Sequence, residues 1–317
     1  MSMLSQDQQT LLSNRMPDFR STLRRDWREW LLFVLFIGPN LTLFAIFNYW
    51  PLGYNAYLSF VDWNFLRENI LWVGLRNYQR VFTSSQFYEI LANTLVFTIS
   101  SFGFTLTLGL AVALLLNQKL RGRDVVRAVV FSPTILSGAA IAVVWAYIFD
   151  PRYGLLSEIL GFVGLASPNW LTSSEWAMPA VIIVYTWKHL GYAVVIFLAG
   201  LQTIPKDLYE AARVDGANAL ARFRHVTIPG LVPIVFFLSV TTILQSFQSF
   251  DLIRVMTGGG PANATNTMIY HLYELGFVAF NAGEAGVVAV MLFLMMLVLT
   301  ILQVRYMDQQ ASYNIRN

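Results

Sequence analysis

Six times along this 317-residue chain the sequence runs apolar for about the length of a membrane crossing. The runs fall at roughly Trp30–Trp50, Leu91–Leu116, Val126–Phe149, Met178–Leu201, Leu231–Phe250 and Ala285–Val304. A helix needs about 20 residues to cross about 30 Å of hydrocarbon. In lipid every backbone N–H and C=O must be paired inside the spanning structure, which leaves helices and closed barrels. These runs are too long and too uniformly apolar for barrel strands. The fold expected is therefore all-α and integral to the membrane, with six transmembrane helices. Charged residues are only 12% of the chain, against about a quarter in soluble domains.

Basic residues orient the spans. With the N-terminus inside, the outer loops hold only Arg67, Arg76, Arg80 and Arg152. Lys188 and Arg254 fall in or beside spans, and the other fifteen of the 21 basic residues are cytoplasmic. Positive loops stay inside, so both termini are expected there. The net charge of +3 then reflects basic cytoplasmic loops, and nucleic acid is not an expected partner. Residues 1–29 read as a cytoplasmic segment, 30–304 as the six-helix domain with a loop at 202–229, and 305–317 as a cytoplasmic tail. Phe19, Leu23, Trp27 and Trp30 recur at helical spacing among Arg24, Arg25 and Arg28, which suits a helix at the inner membrane surface. Trp50, Trp63, Trp72, Trp170 and Trp176 lie near predicted boundaries and read as interfacial anchors to lipid.

Cysteine is absent, so disulfides, thiolate metal sites and cysteine nucleophiles are excluded. His189, His225 and His271 lack metal-ligand spacing. No paired carboxylates or catalytic dyad lies at one depth, which speaks against an intramembrane enzyme. A secondary transporter would call for buried acidic ion sites, and the spans hold almost no acids.

The loop between the fourth and fifth runs has a shape of its own. Pro205 suits a first helical turn, and Asp207 and Glu210 favour its positive end. Gly216 breaks that helix, Ala217–Phe223 can start a second one, and Pro229 is expected to end the element before Leu231 opens the next span. Ala211, Ala212 and Ala217 permit close approach by a partner; Glu210, Arg213, Asp215, Arg222 and Arg224 can orient it. An ordinary amphipathic connector explains the same residues.

Polar residues inside spans are costly and default to function. Tyr185, Lys188, His189 and Tyr192 fall at i, i+3, i+4 and i+7 on one face of the fourth span. Thr242, Gln245, Ser246 and Ser249 repeat that spacing on the fifth. Two such stripes can line a hydrophilic path, with Tyr192 stacking on a sugar ring and Gln245 bonding hydroxyls. Helix–helix glue is the alternative. Lys188 must face water, an acid or a solute; Asp251 and a solute are both open as its partner. Pro133 is expected to loosen the third span, and Gly103, Gly109 and Gly138 to allow close helix approach. The Gly258–Pro261 turn reads as a structural elbow.

Glu210-Ala211-Ala212, Gly216 and then, nine residues on, Val226-Thr227-Ile228-Pro229 resemble the EAA motif of bacterial ABC importer permeases, with Val for Ile and Ile for Leu. Phe250–Pro261, Ala264–Thr267 with Tyr270, Tyr273 and Phe277, Ser132-Pro133, Phe149-Asp150-Pro151 and Gly154-Leu155-Leu156 resemble its carbohydrate-uptake branch (MalF/UgpA-like). The resemblance covers nearly the whole chain after about Trp30. It implies a type I ABC importer permease fold in the bacterial inner membrane and a sugar or glycerol-phosphate cargo. It also implies a coupling segment built on Glu210, Ala211, Ala212, Asp215, Gly216 and Pro229, and a solute path along the two stripes. The partners implied are a second, homologous permease (MalG/UgpE-like), two ATP-binding subunits and an extracytoplasmic solute-binding protein. No GxxxxGK[ST] phosphate loop occurs here, so no cofactor is expected in this chain: ATP and Mg would be bound by the partner ATPases.

Overall fold

The computed structural model describes residues 27–64, 69–118 and 121–316. The chain divides into two compact units, residues 1–55 and 56–317. The first holds α1 (Trp27–Phe44), a π-turn (Ala45–Tyr49) and the start of α2 (Trp50–Leu58). Together these make an apolar helix, Trp30–Leu58, longer than the expected run and with its large apolar side chains outward. Of the expected surface helix, Phe19, Leu23, Arg24 and Arg25 lie outside the described residues, while Trp27 and Trp30 belong to α1.

The second unit opens with a two-stranded antiparallel hairpin, β1 (Val61–Asp62) and β2 (Leu71–Trp72), with Val61 opposite Trp72. Helices follow in the order α3 (Arg76–Thr83), α4 (Ser85–Leu116), α5 (Arg123–Ile135), α6 (Gly138–Ile148), α7 (Leu155–Phe162), α8 (Ala177–Thr203), α9 (Lys206–Val214), α10 (Ala219–Gly230), α11 (Val232–Phe247), α12 (Asp251–Met256), α13 (Met268–Tyr273) and α14 (Ala282–Arg316). Among the described residues, four helices are long and apolar enough to cross a membrane, and two bent pairs bring the spans to six.

One of the two bent pairs corrects an expected straight span; the other bends at the expected boundary between the elbow and the fifth run. The third run is α5 and α6, set at 105° to each other. Pro133 does more than loosen the helix: α5 stops two residues later and Leu136 turns extended at ψ 148°. The fifth run meets α10 at 63°. α10 ends at Gly230, one residue past Pro229, and Val232 opens α11, as expected. The proline is accommodated in that last turn because a π-turn, Phe223–Thr227, precedes it, with Ile228 N–H donating to Phe223 O. A wider turn makes room for a ring that would otherwise crowd the preceding turn's carbonyls. Pro51 follows its π-turn at the same offset, with Trp50 N–H donating to Ala45 O. The last helix continues from Ala282 to Arg316, past the apolar span that ends at Arg305.

α8 is the central helix. Over half of its most apolar stretch (56%) is buried, against 28% in α4 and in α14. Its N-terminal half packs Val181, Val184 and Tyr185 with Phe97 of α4 and with Leu252 and Ile253 of α12. Its other half packs Val194, Phe197 and Leu201 with Ala113 of α4 and with Leu231 and Leu238. Each such fully buried side chain removes roughly 1.5–3 kcal/mol of apolar surface from solvent in water-based terms; in lipid the gain comes from close packing. Two close approaches set the spacing. A methyl group at Gly109 would come within 2.8 Å of Ala193 Cβ, and one at Gly191 would overlap the Val130 carbonyl. Gly103, by contrast, faces open space, so only two of the three expected contact glycines act that way: Gly109 and Gly138. Trp170 and Trp176 also pack on other rings. Trp170 packs 5.2 Å from Phe149 and 5.0 Å from Trp176, in an aromatic cap over the core.

Candidate functional site

The two polar stripes meet. α8 and α11 pack side by side, and a cavity of about 390 Å³ opens where they approach the α5–α6 break and the start of α12. Lys188, His189 and Tyr192 line it from α8, Gln245 from the end of α11 and Ser249 from just beyond it. The other stripe members serve packing. Tyr185 touches the cavity wall but is fully buried; its Oη donates to the Thr242 carbonyl at 3.4 Å, and its ring stacks on His189 at 4.0 Å. Thr242 is buried in that same seam. Ser246 turns its hydroxyl back to the Ile243 carbonyl at 2.8 Å. One stripe therefore does two jobs, its buried residues gluing the helices and its open residues facing the cavity.

Beside Gly138 and Leu252, four lining residues came from elsewhere: Thr134, Gln248, Phe250 and Asp251. Thr134 lies beside Pro133, and its Oγ1 donates to the Lys188 carbonyl at 3.2 Å, holding the broken helix against α8. The other three follow the point where α11 unwinds at Gln248. A polar cluster just past a periodic stripe was the signal available for them.

Asp251 does not pair with Lys188. Among the described residues Lys188 has no ion-pair partner. Asp251 packs instead on Gly138, where a side chain would stand 3.2 Å from its Cβ. Gly138 opens α6, so the carboxylate faces the positive end of that helix. The Lys188 ammonium, half-buried on the cavity wall, is left with its three donors.

The second candidate region is the elbow of α9 and α10. Asp215 ends α9, and Gly216 takes φ +78°. Ala217 N–H then reaches back to the Ala212 carbonyl at 2.8 Å and Gly216 N–H to that of Arg213 at 3.0 Å, closing the helix with a glycine in the left-handed region. Asn218 restarts it, its Oδ1 accepting from Ala221 N–H at 2.8 Å. Arg222 clamps the turn from the other side by donating to the Ala217 carbonyl at 2.8 Å. Tyr209 Oη and Thr227 Oγ1, 3.0 Å apart, tie α9 to the returning helix. The helix–Gly–helix shape is thus as expected. Glu210, Ala211, Asp215, Gly216 and Pro229 are exposed and Ala212 is half-buried. Val214 is 88% exposed and Leu220 73%, an apolar surface on a segment otherwise built for water.

The family model described as the binding-protein-dependent transport system inner membrane component matches residues 79–312. The trehalose/maltose transport system permease protein MalF of Thermococcus litoralis is 36% identical over 263 residues, covering 82% of this chain and 89% of that protein. The sn-glycerol-3-phosphate transport system permease protein UgpA of Yersinia pestis is 34% identical over 286 residues, covering 90% and 96%. Among solved structures, a chain of a bacterial ABC transporter involved in the import of the acidic polysaccharide alginate superimposes with a TM-score of 0.76 at 25% identity, covering 90% of this chain and 99% of that one.

Proposed function

Because the chain belongs to the family of binding-protein-dependent transport system inner membrane components, we propose that it carries a sugar or related polyol inward through the cavity between α8 and α11. It is a membrane-integral ABC importer permease with the all-α, type I permease fold, and a transport subunit rather than an enzyme. The relatives named for trehalose and maltose, for sn-glycerol 3-phosphate and for alginate support a polyhydroxylated cargo. In this reading Tyr192, Gln245 and Ser249 meet the hydroxyl groups and Lys188 faces any anionic one. Tyr185 and Thr242 hold the wall in place.

The energy arrives from outside the chain. Separate ATP-binding subunits bind ATP and Mg and dock on the elbow, with Glu210, Ala211, Ala212, Asp215, Gly216 and Pro229 forming the contact. A second, homologous permease completes the pathway, and an extracytoplasmic solute-binding protein delivers the cargo. Both termini lie in the cytoplasm of a bacterial cell, on the same side as the elbow. One observation carries the proposal: open polar side chains of α8 and α11 converge on one cavity, while their helices are joined by an ordered elbow with exposed apolar residues.

Uptake by the reconstituted transporter tests it. Glu210→Lys is expected to abolish ATP-driven uptake with membrane insertion intact. Tyr192→Ala and Gln245→Ala are expected to weaken uptake while leaving the ATPase response in place. Normal uptake in Glu210→Lys would show the elbow to be a plain connector, and normal rate and specificity in both cavity variants would refute the path.

A further inference from the structure

An aromatic ladder runs from the rim of the cavity to the surface. Phe250, on the cavity wall, lies 5.0 Å ring to ring from Tyr273. Tyr273 lies 5.7 Å from Phe277 with the ring planes 21° apart, and Phe277 is 68% exposed. Two separate elements build this series. Phe250 precedes α12, while Tyr273 and Phe277 are four residues apart on one helical face across the junction of α13 with the π-turn Glu274–Val278. Tyr270 forms the fixed backing: it is buried, 6.0 Å from both Phe250 and Tyr273, and its ring fills the space above Gly259.

Arg254 gives the ladder a polar edge. It sits one turn beyond Phe250, with its guanidinium 5.4 Å from the centre of the Tyr273 ring and an N–H donating to Tyr270 Oη at 3.3 Å. A guanidinium has five N–H donors, so donors are left for a hydroxyl or a carboxylate.

A pyranose ring has flat C–H faces bounded by hydroxyls. It can lie on an aromatic face and hydrogen-bond at its edge in the same pose. An acyclic glycerol phosphate has no such face. We propose that Phe250, Tyr273 and Phe277, with Arg254 at their edge, form a stacking relay that passes pyranose rings into the cavity, and that the cargo is built of pyranose rings rather than being an acyclic polyol phosphate. This rests on the transport reading above and narrows its substrate class.

Phe277 could equally meet lipid, and a leucine there would do that as well, so the substitutions replace the ring and keep the apolar surface. The complete transporter is reconstituted in proteoliposomes, and ATP-driven uptake of labelled maltotriose, trehalose, an oligo-uronide and sn-glycerol 3-phosphate is compared. The expected result is uptake of at least one pyranoside, with Tyr273→Leu and Phe277→Leu each raising its half-saturating concentration by about tenfold. Phe277→Trp should restore the wild-type value, and basal ATP hydrolysis should not change. Wild-type kinetics in both leucine variants would overturn the relay and leave the transport reading standing. Uptake of glycerol phosphate alone, or of none of the four, would overturn the pyranose assignment. In either case the transport reading is judged separately, by whether Glu210→Lys abolishes the stimulation of ATP hydrolysis in the assembled transporter.

Discussion

The elbow and the cavity solve opposite problems with the same kinds of residue. In the elbow, a glycine, an asparagine and an arginine close a turn through bonds spanning five residues or fewer, and the charged side chains are left outward. In the cavity, polar side chains are divided between wall and lumen by contacts far apart in sequence, such as Tyr185 with Thr242 and Thr134 with Lys188. Local bonds make a part that can be pushed as one piece. Distant bonds make a part whose shape changes whenever the helices shift.

That contrast can be broken most severely at its shared support. Gly191→Leu forces a side chain into the Val130–Phe131 backbone. Overpacking of this kind costs about 1–3 kcal/mol and more when backbone must move. The thermal unfolding midpoint in detergent is expected to collapse, and elbow and cavity to fail together.

Gly216→Pro should separate them. Proline cannot adopt the φ of +78° found here, and the strain of about 1–3 kcal/mol falls on the elbow alone. Uptake should drop about tenfold or more with insertion and folding preserved; unchanged uptake would mean that the turn's form is irrelevant to its role. Within the cavity, Tyr192→Ala and Thr242→Val should diverge. The first is expected to raise the half-saturating solute concentration several-fold. The second keeps the packing volume and the carbonyl that Tyr185 uses, so uptake should stay normal with stability changed by less than about 1 kcal/mol. Equal loss in both would erase the division between wall and lumen.

The smallest effect expected is at the turn after α6. Backbone N–H groups of Tyr153 and Arg152 donate to Asp150 Oδ1, at 3.0 and 2.8 Å, and hold its carboxyl below the ordinary value. A lowered carboxyl favours the folded form above the ordinary carboxylate range, and that contribution fades as pH falls through the lowered value. Asp150→Asn should therefore flatten a slight loss of stability on acidification and leave uptake at neutral pH unchanged, as read by unfolding midpoints across pH.

The elbow was legible in the sequence because its signals are local: Pro205, Gly216 and Ala217 act within a few residues of where they stand. Pro229 marked the end of the element to within one residue, but nothing near it announces the π-turn that precedes it. The cavity was legible by half. Helical spacing placed Tyr192, Lys188, Gln245 and Ser249 on facing stripes, but periodicity assigns a face and not its depth. Tyr185, Thr242 and Ser246 share those stripes and are sealed between helices. Thr134 was beyond reach and Asp251 was named only as a partner for Lys188, since the breaks at Leu136 and Gln248 that deliver them depend on packing between helices.

The fit around α8 has a mechanical consequence. Gly109 seats Ala193, Gly191 seats the Val130 backbone, and Gly200 seats Ile234, so α4, α5 and α11 each lock into α8 at a notch. A shaft keyed from three directions cannot spin in its housing. Under the proposed coupling, a push delivered at the elbow would be transmitted as a tilt of the keyed block, and the cavity, which lies between two of the keyed parts, would open or close according to how far their far ends swing.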